Sequence, residues 1–492
     1  MKSLSCLVRG MSDAGTRLSS EAGSCRCLSK MARRSAHRTL LALLAAIVLL
    51  AGDARSSAGP GSTQPGPLGA AGSDSAYWYY CPPGLVQTGS ADALANGRYC
   101  AFWLLKNFPL GGDSATSTSV PGLDVLPVWK KTRGAGVTVA VIDTGVDQES
   151  ADLTPNLLSG RNTYDGNGNT ADDAGHGTVI ASVIAAPAGN GGYVGIAPDA
   201  KILPVKVLGG SGGEDWSDGA VVRGMEYALA HGAKVLNLSI GGLNTPIAGI
   251  QKALADAQRA GALVVIAAGN SGVDLDDPRN IESPDGYGLS NTITVANFTT
   301  RNTLASDSNY GARHVQIASL GTVLWGDYPG NATGGYLGGS SAAAAATSGV
   351  AALLFAADPS ATAAEVRRAI IVGANTDVEA LRGRVEANGL LSATGALAAL
   401  AHPDKTPPAG FQAVGPAFAF RSRGSAPATF TWRPSSDTEL EGYSVTVDGH
   451  TTVVSPGTTE LRATLRPGVH RWRVSAYDLS GNRTFATAPS RR

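Results

Sequence analysis

The sequence predicts a parallel α/β domain followed by a small all-β sandwich, and two patterns support this prediction. Between residues 115 and 402, short apolar runs rich in β-branched residues alternate with helical stretches, as expected for strands buried on both faces of a parallel sheet. From residue 403 to residue 492, short segments of alternating polar and apolar residues are separated by closely spaced turns, which is typical of a β-sandwich.

Length and composition indicate several globular domains and exclude one class of partner. At roughly 150 residues per domain, the 492 residues correspond to about three folded units. The chain has 39 Lys and Arg against 39 Asp and Glu, so it lacks the basic excess with which proteins bind nucleic acid. Since 43% of its residues are hydrophobic, the chain can bury a sizeable core. We expect a globular protein with no nucleic-acid partner.

The first 54 residues predict an export leader with a signal peptide. The basic segment Met31–Arg38 precedes an apolar run over residues 39–51, and Gly52–Ala54 supplies the small residues that a signal peptidase needs. The apolar run is too short to span a bilayer comfortably, so it predicts a secreted, extracellular protein without stable membrane insertion. Residues 1–30 resemble neither a signal nor a domain, and a true start of translation at Met31 would account for them.

Two further segments precede the α/β domain. Residues 55–75 are rich in Gly, Pro and Ser and predict a flexible linker. Residues 76–114 form a small segment that contains Cys81 and Cys100, the two cysteines left once the leader is removed. An even pair in an oxidising compartment predicts a disulfide, and two free thiols are the alternative.

Within residues 115–402, strands and helices follow one another as expected for a parallel sheet. The predicted strands are Val137–Ile142, Lys201–Leu208, Lys234–Ile240 and Leu263–Ala268, and the predicted helices are Asp218–His231 and Pro246–Ala260, closed by Gly232 and Gly261. Ligands of such sheets bind at the carboxyl ends of the strands, where the polar residues of these runs lie.

Side chains suited to acyl transfer lie at these strand ends and at the starts of helices. Asp143 ends a buried strand, His176 opens a helix, and Ser341 begins a long Ala-rich helix. A serine hydroxyl becomes nucleophilic when a base takes its proton and a carboxylate orients that base. Asn270 follows another strand, where its amide could stabilise an oxyanion. Each residue alone also suits a turn or a helix cap, so the catalytic hypothesis depends on their joint order.

These motifs, in this order, resemble those of the subtilisin-family (subtilase) serine endopeptidases over about residues 115–402. Asp, then His, then Ser is the chain order of subtilisin itself. The resemblance implies that Asp143 orients His176, and that His176 is the general base towards Ser341 in the hydrolysis of protein substrates. Asn270 and the N–H of Ser341 would stabilise the oxyanion. Binding of an extended substrate backbone would fall to four consecutive residues, Ser239, Ile240, Gly241 and Gly242.

The sequence departs from the family pattern beside the nucleophile. The family has Gly-Thr-Ser with Pro four residues after the serine, whereas this chain has Gly339-Ser340-Ser341 and Ala345. Counting back from Gly349 selects Ser341 rather than Ser340. Because of Ala345, and because no recognisable inhibitory propeptide precedes residue 115, the alternative function is a catalytically impaired scaffold that acts as an extracellular binding protein.

No cofactor is required by this mechanism, but the family resemblance raises calcium as a structural ligand. Asp152 matches a calcium-binding aspartate of the family, although the loop at 187–192 has lost most side-chain oxygens. The loop that begins at Asp165, with Asp172 and Asp173, is an oxygen-rich alternative, unless it is only a polar surface loop. Three further carboxylates, those of Asp274, Asp276 and Asp277, either favour basic substrates or belong to a solvated loop.

Residues 403–492 resemble a fibronectin type III domain, with Trp432 and Tyr443 as core aromatics. By this resemblance the domain is a spacer, or it binds a surface or a polymer. Its fold does not identify such a ligand.

Overall fold

The computed structural model describes two short paired strands, Phe108–Pro109 and Ser119–Val120, and residues 123–489. Within that range residues 189–192, 210–214, 244–246, 281, 285–288, 323, 331 and 423–424 are not described. The predicted leader (1–54), the predicted linker (55–75), and Cys81 and Cys100 lie outside the described residues.

The described residues contain seven α-helices and 23 strands. The helices are α1 (Leu126–Trp129), α2 (His176–Ala185), α3 (Asp218–Ala230), α4 (Ile250–Ala260), α5 (Ser340–Ala357), α6 (Ala363–Val372) and α7 (Ala393–Leu400). The strands before the C-terminal region are β1 (Phe108–Pro109), β2 (Ser119–Val120), β3 (Thr138–Asp143), β4 (Arg161–Asn162), β5 (Lys201–Lys206), β6 (Leu208–Gly209), β7 (Asp215–Trp216), β8 (Val235–Leu238), β9 (Gly242–Leu243), β10 (Leu263–Ala267), β11 (Glu282–Ser283), β12 (Thr292–Phe298), β13 (Ile317–Leu320), β14 (Leu324–Tyr328) and β15 (Ala332–Leu337). The strands of the C-terminal region are β16 (Ala413–Gly415), β17 (Ala419–Ser422), β18 (Ala426–Trp432), β19 (Leu440–Val447), β20 (His450–Val454), β21 (Glu460–Leu465), β22 (Gly468–Asp478) and β23 (Arg483–Phe485).

The central sheet has seven parallel strands in the order β13-β12-β10-β8-β3-β5-β4. Alternate side chains of each strand point to opposite faces, so that Val139 and Val141 join one core while Ala140 and Ile142 join the other. Helices α2, α5, α6 and α7 cover the first face, and α3 and α4 cover the second. The predicted parallel α/β fold is confirmed.

Helix α5 passes through the interior of the first core. It is long and apolar enough to resemble a membrane span, but 89% of its span is buried inside the fold. Small residues allow the tight packing, because a Cβ on Gly349 would lie 2.7 Å from the Cβ of Ile196. The helix continues through Ala345, where the family has proline.

One predicted boundary is wrong by several residues. Helix α4 begins at Ile250 rather than at Pro246. Gly249 precedes it in the left-handed conformation, with φ of 83°, so the helical backbone starts only after that residue. The predicted end is right, since Gly261 caps α4 with φ of 71°.

The C-terminal region consists of two antiparallel sheets that share one core. One sheet has the order β16-β18-β21, and the other has β17-β22-β19-β20 with β23 beside β22. Trp432 of the first sheet and Tyr443 of the second lie with ring centroids 5.4 Å apart, both buried as predicted. The relation to fibronectin type III domains stays a prediction.

Candidate active site

Three neighbouring strands of the central sheet bring the predicted site residues to one edge. Strand β3 ends at Asp143, β8 ends one residue before Ser239, and β10 ends three residues before Asn270. Because these strands are parallel and adjacent, their carboxyl ends meet at the same edge of the sheet. Helices α2 and α5 pack against each other and begin at His176 and Ser340.

A buried carboxylate holds the imidazole at this edge. Asp143 is fully buried, and its Oδ1 lies 2.7 Å from Nδ1 of His176 and accepts a hydrogen bond from the N–H of Thr144. Its Oδ2 has no hydrogen-bond partner among the described residues. A Cβ on Gly177 would lie 2.0 Å from the carbonyl oxygen of Gly145, so only glycine lets α2 approach the end of β3 this closely.

Asp172 supports the start of α2, which sequence reasoning missed. Its carboxylate accepts hydrogen bonds from the N–H of Gly175, from the N–H and hydroxyl of Thr178, and from the hydroxyl of Thr144. These N–H groups belong to the first turn of a helix, where no backbone acceptor is available. An aspartate four residues before the histidine was the available signal, although in the sequence Asp172 also suits an oxygen-rich calcium loop.

Burial and charge act on His176 in opposite directions. Burial alone would lower the pKa of His176, but the charge of Asp143, its hydrogen bond and the charge of Asp172 together raise it above the ordinary 6.5. The imidazole is still 30% exposed, so the side chain is accessible from solvent. A carboxylate on one side and solvent access on the other are what a general base requires.

The two adjacent serines have different surroundings. The N–H and the hydroxyl of Ser340 both donate to Oδ1 of Asn270, at 2.9 and 3.0 Å, and the Ser340 hydroxyl also accepts from the N–H of Gly269. Because a backbone N–H fixes Oδ1 as the acceptor, the amide Nδ2 of Asn270 remains free to donate. The hydroxyl of Ser341 makes none of these hydrogen bonds among the described residues, although Ser341 is only 9% exposed.

A chain of hydrogen bonds connects the start of α5 to β8. The hydroxyl of Ser239 donates to the carbonyl of Ser341 at 3.2 Å and accepts from Nδ2 of Asn237 at 3.0 Å. The Oδ1 of Asn237 accepts from the hydroxyl of Ser348, two turns further along α5. The fully buried Asn237 therefore holds α5 at two points.

The predicted substrate-binding segment is only partly in a strand. Ser239, Ile240 and Gly241 follow β8 outside the described strands, while Gly242 lies in β9 and pairs with Ser283 of β11. Of the four residues, Ser239 contacts the backbone of Ser341, and Ile240 is buried.

The carboxylates proposed for calcium do not converge. Asp165 accepts from the side-chain amide of Asn162, Asp173 pairs with Lys206, and the oxygens of Asp172 are occupied at α2. Asp152 accepts from the N–H of Tyr193. Calcium binding at Asp152 or at the loop beginning at Asp165 stays a prediction. Three carboxylates do converge in the C-terminal region, those of Asp404, Asp437 and Asp478.

Two of the three acidic residues after Asn270, Asp276 and Asp277, are paired with basic side chains. Asp276 accepts from Arg313 and lies 3.1 Å from Nδ1 of His314. Hydrogen bonds from Arg279 lower the pKa of Asp277 to about 2. The charges of Asp276 and Asp277 are therefore compensated within the chain, while Asp274 accepts from the N–H of Asp276.

Aspartate, histidine and serine side chains at the edge of an α/β fold, beside an amide donor, define the class of serine hydrolases. The sequence profile of the subtilase family matches residues 134–396. The chain is 36% identical to thermitase from Thermoactinomyces vulgaris over 243 residues, 49% of this chain and 82% of that protein. It is 36% identical to subtilisin Savinase from Lederbergia lenta over 234 residues, 48% of this chain and 81% of that protein.

A third sequence relative and one solved structure extend the comparison. The major intracellular serine protease of Bacillus subtilis is 33% identical over 221 residues, 43% of this chain and 67% of that protein. A solved protease structure from Pseudoalteromonas arctica superposes with a TM-score of 0.50 at 28% identity, covering 57% of this chain and 94% of the other. The chain belongs to the subtilase family and is a subtilisin-like serine endopeptidase. Nothing in these relatives supports a catalytically impaired scaffold.

The chain of hydrogen bonds through Asn237 generates a prediction. We expect Asn237→Ala to lower the free energy of unfolding by about 1–3 kcal/mol, because it leaves buried hydroxyls unpaired. It should also lower kcat more than it raises KM, because the Ser239 hydroxyl that binds the carbonyl of residue 341 loses its own hydrogen bond from β8. Urea unfolding and steady-state peptide hydrolysis measure the two effects.

Asn291→Ala is the matched control for Asn237→Ala. Asn291 is also buried, but it donates to the carbonyl of Ala262 at the amino end of the sheet. It should cost similar stability and leave kcat unchanged. An equal loss of kcat in both variants would show that Asn237 has no special relation to the site.

Proposed function

We propose that Ser341 is the nucleophile of this endopeptidase, with His176 as general base, Asp143 as its orienting carboxylate, and Asn270 in the oxyanion hole. The observation that carries the proposal is the 2.7 Å contact between Asp143 Oδ1 and His176 Nδ1, which leaves Nε2 for proton transfer. The occupied hydroxyl of Ser340 supports Ser341 as the nucleophile, in agreement with the spacing to Gly349.

In the first half-reaction, Oγ of Ser341 bonds to the carbonyl carbon of the scissile peptide, and its proton passes to His176 Nε2. The carbonyl oxygen becomes an oxyanion, which accepts hydrogen bonds from Nδ2 of Asn270 and from the N–H of Ser341. When the intermediate collapses, the C–N bond breaks and His176 returns the proton to the leaving amine. Water then hydrolyses the acyl-enzyme by the same steps, with His176 as base towards the water.

Mutation of the adjacent serines tests the assignment. We expect Ser341→Ala to lower kcat by about 10⁴-fold or more and to abolish labelling by a fluorophosphonate. Ser340→Ala should still be labelled and should lower kcat less, because it removes only the hydroxyl that helps to hold the Asn270 amide. Thermal unfolding of both variants controls for misfolding. Loss of labelling in Ser340→Ala alone would move the nucleophile to Ser340.

The charges around His176 generate a pH prediction. Because a base must be neutral, kcat/KM should rise with pH through the pKa of free-enzyme His176, with a midpoint above 6.5. Asp172→Asn removes an anion that raises this pKa, so the midpoint should move to lower pH. An NMR titration of the imidazole provides a second readout. Asp199→Asn, at a surface carboxylate that pairs with Arg133, is the control and should leave the midpoint in place.

We also propose that the enzyme is secreted. The support is the basic and apolar pattern of residues 31–54, since the family includes intracellular relatives and does not fix the compartment. The check is expression in a bacterial host, followed by N-terminal sequencing of the protein recovered from the medium. We expect a mature chain that lacks residues 1–54, whereas retention of the intact leader inside the cell would contradict secretion.

A further inference from the structure

Two consecutive arginines of α6 lie at the amino end of the central sheet. Arg367 is buried, with 2% of its side chain exposed, and its Nε donates to the carbonyl of Thr292, the first residue of β12. Arg368 is 9% exposed, and its Nη1 donates to the carbonyl of His402, just after α7. Both guanidinium groups are thus withdrawn from water inside the peptidase domain.

Both arginines find carboxylate partners in the C-terminal sandwich. Nη2 of Arg367 lies 2.8 Å from Oε1 of Glu441. Nε and Nη2 of Arg368 bind the two oxygens of Glu439 at 2.5 and 2.6 Å, a bidentate geometry. Within the peptidase domain, Glu386 approaches Arg367 less closely, at 3.4 Å. The nearest charge that compensates Arg367 therefore comes from the sandwich.

The connection between the two domains is also held at several points. Asn482 of the sandwich donates to the carbonyl of Asp404, and the hydroxyl of Thr484 donates to the carbonyl of Pro408. A Cβ on Gly481 would contact the Cβ of Ala364 on α6 at 3.3 Å. A flexible tether would leave these backbone groups to water, whereas here they are bonded to the domain that they connect.

The sandwich contacts the side of the sheet opposite the catalytic edge. Thr292 begins β12, and seven residues at about 3.3 Å each place that end about 20 Å from the carboxyl end of the strand. The sandwich therefore does not contact the proposed catalytic groups from this position. Its contact with α6 bears on the stability of the peptidase domain, because α6 packs against α5, which carries Ser341.

We propose that the C-terminal sandwich is a fixed structural partner of the peptidase domain, docked on α6 through Arg367 and Arg368, and that the two domains unfold as one cooperative unit. A buried guanidinium without its carboxylate is strongly unfavourable, so each domain depends on the other to complete its interface. This differs from the expectation of a spacer or a surface-binding module, which would fold and move independently.

A double-mutant cycle in the full chain tests the proposal, in the Ser341→Ala background to prevent self-digestion. Arg367→Met and Glu441→Leu should each lower Tm by roughly 5–10 °C in a single calorimetric transition. Measured at pH 8, where Glu441 is ionised, the double variant should lose much less than the sum, because neither charge is then left unpaired. Hydrogen exchange should accelerate in both α6 and β19 in each single variant.

The control is Arg462→Met, because Arg462 pairs with Glu460 in an exposed ion pair within the sandwich. It should change Tm very little. Two separate unfolding transitions, with Arg367→Met shifting only one of them, would overturn the proposal. Strictly additive effects in the cycle would overturn the pairing of Arg367 with Glu441.

Titration of Glu441 supplies a second test. Burial raises the pKa of Glu441 to about 7 from an ordinary 4.5, against the opposing charge of Arg367. The charged groups that face it come from three elements and are Arg367 on α6, Glu386 in the loop before α7, and Tyr477 and Asp478 on β22.

Because the docked carboxyl holds a proton that the unfolded chain releases, its contribution to stability is complete below pH 4.5 and is lost as pH rises towards 7. The Tm of the wild type should therefore fall between pH 5 and pH 8. The Tm of Glu441→Gln should fall less over the same range, by several degrees. Parallel pH profiles of the two proteins would contradict burial of Glu441 at the junction.

Discussion

Burial of the Asp143 carboxylate at the end of a central strand is the constraint on which the rest of the site depends. A charge withdrawn from water requires close partners, and among the described residues these are the N–H of Thr144 and the imidazole of His176. The imidazole reaches it because α2 begins at that point and approaches the backbone through Gly177. Thus the orientation of the base follows from the need to pair a buried anion.

Helix α5, which carries Ser341, is fixed by hydrogen bonds rather than by charge. Asn270 binds the start of α5 through Ser340, and Asn237 holds the same helix through Ser239 and Ser348. The family proline would deprive the carbonyl of Ser341 of its helical N–H donor, whereas Ala345 retains that donor. The Ser239 hydroxyl is therefore an additional contact, so loss of the proline is compatible with a well-positioned Ser341.

Local patterns predicted the fold, which the structure confirms, and they proposed the site residues, because both depend on short segments. Apolar runs marked the central strands, and Gly261 marked the end of α4. The same reasoning missed Asp172, Asn237 and Arg367, since each acts through a partner distant in sequence or through backbone groups that no pattern displays. It also assigned calcium to a loop whose carboxylates turn out to have separate partners.

The two ends of one parallel sheet carry different tasks for a common physical reason. Strand ends leave backbone and side-chain groups unpaired, so both edges attract polar partners. At the carboxyl edge those groups are Asp143, Asn270 and the start of α5, which suit chemistry. At the amino edge the carbonyl of Thr292 binds Arg367, which also contacts the Glu441 carboxyl of the sandwich. A domain docked there can stabilise the helices behind the catalytic edge without obstructing substrate.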